Sequence, residues 1–205
     1  YLNRNGVLSL DMPSDSCSSS AYVSDPAAPV PFMKDASKRD RAYMAADQSF
    51  ASHRNDVLTF TSACLPVPVM LGGPIRAELE LSLGTTDADI IVKLIDVHPD
   101  GYQMLLRADV FPIRYRHSIS SPEPATPGEI THVSFTMNDI AHKIHPGHRL
   151  MVQIQSSWFP LVYMNPQTFM PNIYEAVDGD YVKSEVTIYH QAGNASRIIL
   201  PVVRQ

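Results

Sequence analysis

Residues 87–101 read DADIIVKLIDVHPDG, a long run of strand-forming side chains that ends in the turn Pro99-Asp100-Gly101. Positions 89–97 are apolar on both alternations, which marks a central strand buried on both faces. The Asp-Gly turn sends the chain back on itself, so 103–116 is the expected antiparallel partner. Further β segments surround this hairpin. Residues 75–84 alternate cleanly, with Ala77, Leu79, Leu81 and Leu83 on one face and Glu78, Glu80 and Ser82 on the other. Val133, Phe135 and Met137 point inward from 130–137, and Leu150, Val152 and Ile154 share a face of 148–157. Residues 57–62 open the series, and 183–191 and 196–203, separated by Gly193-Asn194, close it. About eight strands with Pro/Gly turns, and no amphipathic helix of three turns, predict an all-β fold. Two antiparallel sheets packed face to face, a jelly-roll β-sandwich of the galactose-binding-like kind, is the expected architecture. The Cys…Trp…Cys spacing of an immunoglobulin sandwich is absent.

Residues 1–53 have a different texture. Ser14, Ser16, Ser18, Ser19 and Ser20 form a serine tract, and Asp25-Pro26-Ala27-Ala28-Pro29-Val30-Pro31 favours extended backbone. The division predicted is an arm or linker over 1–53 and a jelly roll over 54–205, with a short helix over 40–50. A chain of 205 residues buries about 70% of its unfolded surface, enough for a core without metal or disulfide staples. Cys17 and Cys64 could pair only if the arm folds back over the first strand, and two isolated cysteines read as free thiols. The net charge of −5 argues against nucleic acid as a partner. Lys38-Arg39-Asp40-Arg41 carries its own carboxylate and reads as a solvated loop. No membrane span is expected, because the most apolar stretch, 65–75, contains Pro66, Pro68, Gly72, Gly73 and Pro74. A start at Tyr1 rather than Met reads as a processed or excised segment.

Candidate chemistry is sparse. His142, His145 and His148 fall close together, but Pro146-Gly147 breaks the run and no carboxylate stands in ligand-like spacing. They read as turn and strand-start residues, and no metal is assigned. No serine has glycine two residues before it, so the nucleophile elbow of an α/β hydrolase is missing. Ser184, Glu185 and His190 could be drawn as a triad, yet they alternate along one strand. Asp87 with Asp89, and Asp178 with Asp180, invite glycosidase or calcium readings that loop polarity explains equally well. No catalytic residue and no cofactor is assigned. Trp158-Phe159-Pro160 through Tyr174 form an aromatic, polar stretch within a loop of about 25 residues, too long for a plain connection. Trp158, Phe159, Asn165 and Tyr174 are its candidates for contact with a neighbouring domain, or for a sugar-binding surface.

Taken together, several motifs resemble the C-terminal jelly-roll domain shared by X-Pro dipeptidyl-peptidases, cocaine esterase and α-amino acid ester hydrolases. The matching residues are Asp56-Val57-Leu58, Thr86-Asp87-Ala88-Asp89, Lys93-Leu94-Ile95-Asp96-Val97, Arg114-Tyr115-Arg116, Pro146-Gly147-His148-Arg149, Gln153, Ser156-Ser157, Phe159-Pro160 and Leu200-Pro201-Val202. Tyr22-Val23-Ser24-Asp25-Pro26 with Pro29-Val30-Pro31 looks like the linker entering that domain. Asn165-Pro166-Gln167-Thr168 followed by Pro171-Asn172-Ile173 is most similar to the branch of α-amino acid ester hydrolases and glutaryl-cephalosporin acylases. That family often has Asp-Arg before Asn-Pro, where this chain has Tyr163-Met164. The resemblance implies a non-catalytic domain of a secreted or periplasmic serine acyl hydrolase. The triad would lie in an α/β-hydrolase domain that matches nothing here. Its partners would be that domain and a cap domain, with a small ester or amide substrate bound by the parent. Tyr43, Met44 and Phe50, in the linker segment, are the candidates for lining the cleft. An independent carbohydrate-binding jelly roll is the competing class. Excision from a partner would expose an apolar patch and favour a homo-oligomer.

Overall fold

The structure, a computed structural model, describes residues 1–37 and 41–203. The basic run at 38–41 therefore lies outside the described residues except for Arg41. Twelve strands are described: β1 (Leu2–Asn3), β2 (Val7–Leu8), β3 (Ser19–Ser24), β4 (Leu58–Thr61), β5 (Val69–Leu83), β6 (Asp89–Val97), β7 (Gln103–Pro112), β8 (Thr131–Ile144), β9 (Arg149–Gln155), β10 (Ser184–Gln191), β11 (Asn194–Ala195) and β12 (Arg197–Ile199). One sheet runs β1-β2-β4-β9-β6-β7, and the other holds β3, β5, β8, β10, β11 and β12. Every pairing between these strands is antiparallel except the parallel contact of Val7 with Thr61, and an isolated parallel bridge joins Pro31 to Phe159. This is the all-β sandwich expected.

The alternating faces explain the main core. Ala77, Leu79, Leu81 and Leu83 of β5 and Val133 and Met137 of β8 meet Ile90, Val92 and Leu94 of β6 and Leu150, Val152 and Ile154 of β9 between the sheets. The turn at Gly101 (φ +93°) returns β7 along β6 as the sequence predicts. β5 begins at Val69, not at residue 75. A register shift between Gly73 and Ile75 absorbs Pro74, so the long pairing with β8 continues to Val69 opposite Ile144.

Residues 1–53 do not stand apart from the sandwich. β1 and β2 form a hairpin on the first sheet, and β3 pairs residue by residue with β10, from Ser24 opposite Ser184 to Ser19 opposite Tyr189. Short polar strands without a repeating apolar set give no periodic signal, which is why sequence reading passes over them. The helix expected over 40–50 is a 3₁₀ turn at Arg41–Ala45 and a single α turn at Ser49–Ser52. Cys17 and Cys64 are both free and exposed.

Candidate functional site

β6 is not uniformly apolar. Its outward set, Ile91, Lys93 and Ile95, joins Leu105 and Met151 in a second cluster, covered by Phe32 of the arm and by Trp158. Tyr43 packs edge-on between Phe32 and Trp158, with ring centroids 5.7 and 6.0 Å away. Beneath this roof Lys93 is fully buried, its Nζ donating to Gln48 Oε1 at 3.0 Å and lying 5.3 Å from the Trp158 ring centre. Gln48 is itself pinned, since its backbone N–H donates to Gln103 O and its carbonyl accepts from Gln153 Nε2. Among the described residues no carboxylate pairs with Lys93, which loses basicity through burial, falling to about 7. Of the three cleft candidates, Tyr43 belongs to this roof, Met44 is exposed, and Phe50 packs against Val30, Ala51 and Val57.

The long connection between β9 and β10 is held by a buried polar network at the entrance to β6. Arg114 donates from Nε and Nη2 to Asp87 Oδ2, and from Nη1 to Met170 O at 3.0 Å. Asn165 Nδ2 bridges Asp87 Oδ2 at 3.0 Å and Asp89 Oδ1 at 2.9 Å. Gln167, with φ +63°, donates to the carbonyls of Ser24 and Val182. Burial is the main reason that the Asp89 carboxyl rises to about 6, with the Asp87 charge adding to it and Asn165 and Arg114 opposing. Loop polarity is thus the wrong account of Asp87 and Asp89. Both are buried; Arg114 and Asn165 from distant segments hold Asp87 Oδ2, Asn165 also reaches Asp89 Oδ1, and Asp87 Oδ1 has no hydrogen-bond partner among the described residues. Asp178 and Asp180 lie in an exposed 3₁₀ turn, where Asp180 accepts from the Val177 N–H.

On this anchored base the loop presents an apolar face. Phe159, Leu161, Tyr163, Tyr174 and Val177 are exposed, Tyr174 at 70%, and Tyr163 and Tyr174 meet edge-on at 4.8 Å. A groove of about 660 Å³ runs beside it, lined among others by Asp25, Phe159, Tyr163, Asp178, Tyr181 and Lys183. Of the four interdomain candidates, Phe159 and Tyr174 lie on this face. Trp158 and Asn165 point inward, into the second cluster and the carboxylate network.

No triad forms along β10. Ser184 accepts from Thr85 Oγ1, while both ring nitrogens of His190 are taken by serines, Nδ1 by Ser18 at 2.8 Å and Nε2 by Ser20 at 2.9 Å. Among the described residues no carboxylate hydrogen-bonds to His190, whose basicity burial lowers. Two of the three clustered histidines do converge. His142 Nε2 and His148 Nδ1 reach the two oxygens of Asp96, at 3.1 and 2.8 Å, while His145 stacks loosely on His148. The carboxylate missing from the local sequence comes from β6, some 50 residues upstream. Lys93 and Asp96, charges in the interior of a strand otherwise apolar from Ile90 to Val97, were the available signal.

The chain is 32% identical over 189 residues to cocaine esterase of Rhodococcus sp. (strain MB1 Bresler), covering 92% of this chain and 33% of that one. Its structure superimposes on an aminopeptidase from a marine sediment archaeon, Thaumarchaeota archaeon, with a TM-score of 0.95 and 35% identity, over 100% of this chain and 36% of the other. An α-amino acid ester hydrolase gives 0.94 and 40%, over 99% and 36%. The chain therefore spans about a third of the length of these relatives. Residues 30–199 match the model of the X-Pro dipeptidyl-peptidase C-terminal non-catalytic domain. The chain belongs to this family of C-terminal, non-catalytic hydrolase domains.

Proposed function

We propose that this domain docks on the α/β-hydrolase and cap domains of a longer serine acyl hydrolase and walls part of its active-site cleft. The exposed face of Phe159, Leu161, Tyr163, Tyr174 and Val177 carries the reading. An apolar patch built on a loop that a buried ion pair holds rigid has the character of a contact surface. Residues 1–53 make the connection to the hydrolase, and Tyr43 and Met44 on the arm extend the same wall. The relatives support ester or amide hydrolysis as the parent's reaction, since they carry the names cocaine esterase, aminopeptidase and α-amino acid ester hydrolase. Hydrolysis would proceed through an acyl-enzyme on a serine of the preceding domain. This domain adds no catalytic group and has no activity alone, in keeping with the serine-capped His190.

Fluorophosphonate labelling of this chain and of the full-length polypeptide that contains it provides the test. Only the longer chain is expected to label, and Tyr163→Ala/Tyr174→Ala in that chain should lower its activity and its thermal midpoint. Labelling of the short chain, or a full-length double variant identical to its parent, overturns the reading. A glycan that titrates into the Tyr163–Tyr181 groove of the short chain would favour a carbohydrate-binding module instead.

A further inference from the structure

At one end of the sandwich a carboxylate is buried with no lysine or arginine paired to it among the described residues. Asp96 is 1% exposed and points between the sheets from β6. Among the described residues the basic side chains within 4.0 Å of its oxygens are three histidines, with no lysine or arginine. His148 Nδ1 stands 2.8 Å from Oδ1, His142 Nε2 3.1 Å from Oδ2, and His98 Nε2 4.0 Å from Oδ2. His98 Nε2 is buried and has no hydrogen-bond partner. A buried carboxylate facing an orphaned imidazole nitrogen is a costly arrangement unless positive charge comes between them.

We propose that Asp96, His98 and His148 bind a late first-row divalent cation, for which zinc is the natural occupant. Their donor atoms all lie within 4.8 Å of one another. Tetrahedral bonds of about 2.0–2.1 Å place neighbouring donors about 3.3 Å apart, so the observed separations need only small side-chain rotations. Two imidazoles and one carboxylate suit zinc, and disfavour magnesium and calcium, which take oxygen ligands.

The backbone already fixes each ligand. His98 closes the β6–β7 turn, donating its N–H to Tyr102 O and accepting from Gly101 N–H. His148 follows Gly147 (φ +82°), whose N–H donates to Leu65 O, at the start of β9. His142 comes from β8 in the facing sheet and steadies the second carboxylate oxygen, the kind of support that metal-bound carboxylates receive. A bound ion would tie the β6–β7 turn to the start of β9 within one sheet, with the His142–Asp96 bond reaching the facing sheet, and would leave a fourth position for water.

The test uses the full-length polypeptide that contains this domain, with its tag removed and its metals stripped by a chelator. Zinc is titrated against a chromophoric chelator, and cobalt is followed by its visible absorption. The proposal expects a zinc equivalent that is weakened more than about 100-fold by His98→Ala or His148→Ala, and by about 10–100-fold by His142→Ala. It also expects a tetrahedral cobalt spectrum that His98→Ala removes. His98 is partly exposed, so this variant should keep the fold, and its circular dichroism should match that of the parent. Zinc should raise the thermal midpoint of the parent and leave that of His98→Ala unmoved. If stripped protein takes up no zinc at micromolar concentration, or if its affinity and cobalt spectrum survive both His98→Ala and His148→Ala, the site is a hydrogen-bonded clasp and the proposal fails.

Discussion

Replacing Lys93 with methionine should stabilise this fold in acid and destabilise it in base. Burial alone lowers the amine from 10.5 to about 7, a gap of about 3.5 pH units, or about 5 kcal/mol between charged and neutral forms. Between pH 7 and 10.5 the unfolded chain carries a proton on this amine that the folded chain has released. Stability therefore rises with pH across that window and stays at its lower level below pH 7. Methionine fills similar volume without the amine. It removes a cost of up to about 5 kcal/mol at pH 6, but leaves Gln48 Oε1 without its donor, at about 1–3 kcal/mol. It also forfeits the contact with Trp158, at up to about 2 kcal/mol. The net gain at pH 6 is up to about 4 kcal/mol, and at pH 10, where the buried amine is neutral, only the loss at Gln48 remains. Urea unfolding of both proteins from pH 6 to 10, followed by far-ultraviolet circular dichroism and by the single tryptophan, measures the difference. The variant's advantage should shrink by about 1.4 kcal/mol per pH unit above pH 7 and change sign. Parallel stability curves from pH 6 to 9 would refute the reasoning, because Lys93 would then keep its ordinary basicity inside the fold.

Asp89 should behave with the opposite slope and in a different window. Its folded value of about 6 lies above the ordinary 3.8, so the folded chain holds the extra proton and stability falls by about 3 kcal/mol as pH rises from 4 to beyond 6. Asp89→Asn should flatten that fall and be relatively most stabilising at pH 7, as read from chemical denaturation at pH 4 and 7. Arg114→Met leaves Asp87 buried and uncompensated, and should cost about 3–5 kcal/mol. At about 2–4 °C per kcal/mol for a chain of this size, that is a loss of about 6–20 °C in midpoint, with faster amide exchange across 156–183. Gly6→Ala should cost more than about 1 kcal/mol, because φ is +70° and its Cβ would stand 2.7 Å from the Thr59 carbonyl oxygen; calorimetry would detect it.

Legibility in the sequence followed the size of the repeating apolar set. β6 was read at its true bounds, because a nine-residue run with six Ile, Val and Leu side chains is closed by an Asp-Gly turn. The inward faces of β5, β8 and β9 were equally plain. β3 was missed because a six-residue strand of Ser, Ala, Tyr and Val carries too few apolar positions to show a period. The polar clusters failed for a different reason. Asp87 meets Arg114 and Asn165, and Asp96 meets His142 and His148, across separations of 27 to 78 residues. No local spacing rule spans that distance. The charges themselves were visible, and a lysine and an aspartate within a strand buried on both faces should prompt a search for partners.

The pairing of β3 with β10 sets a timetable for this chain on the ribosome. Ser19–Ser24 are made long before Ser184–Gln191, the only strand they pair with among the described residues. At about 5–20 residues per second, roughly 8–30 s of synthesis separate the two. Throughout that interval the growing chain has an unpaired strand edge, a feature that recruits chaperones or seeds aggregation. A ribosome stall or a stop codon ahead of β10 should therefore yield aggregate rather than a smaller folded domain.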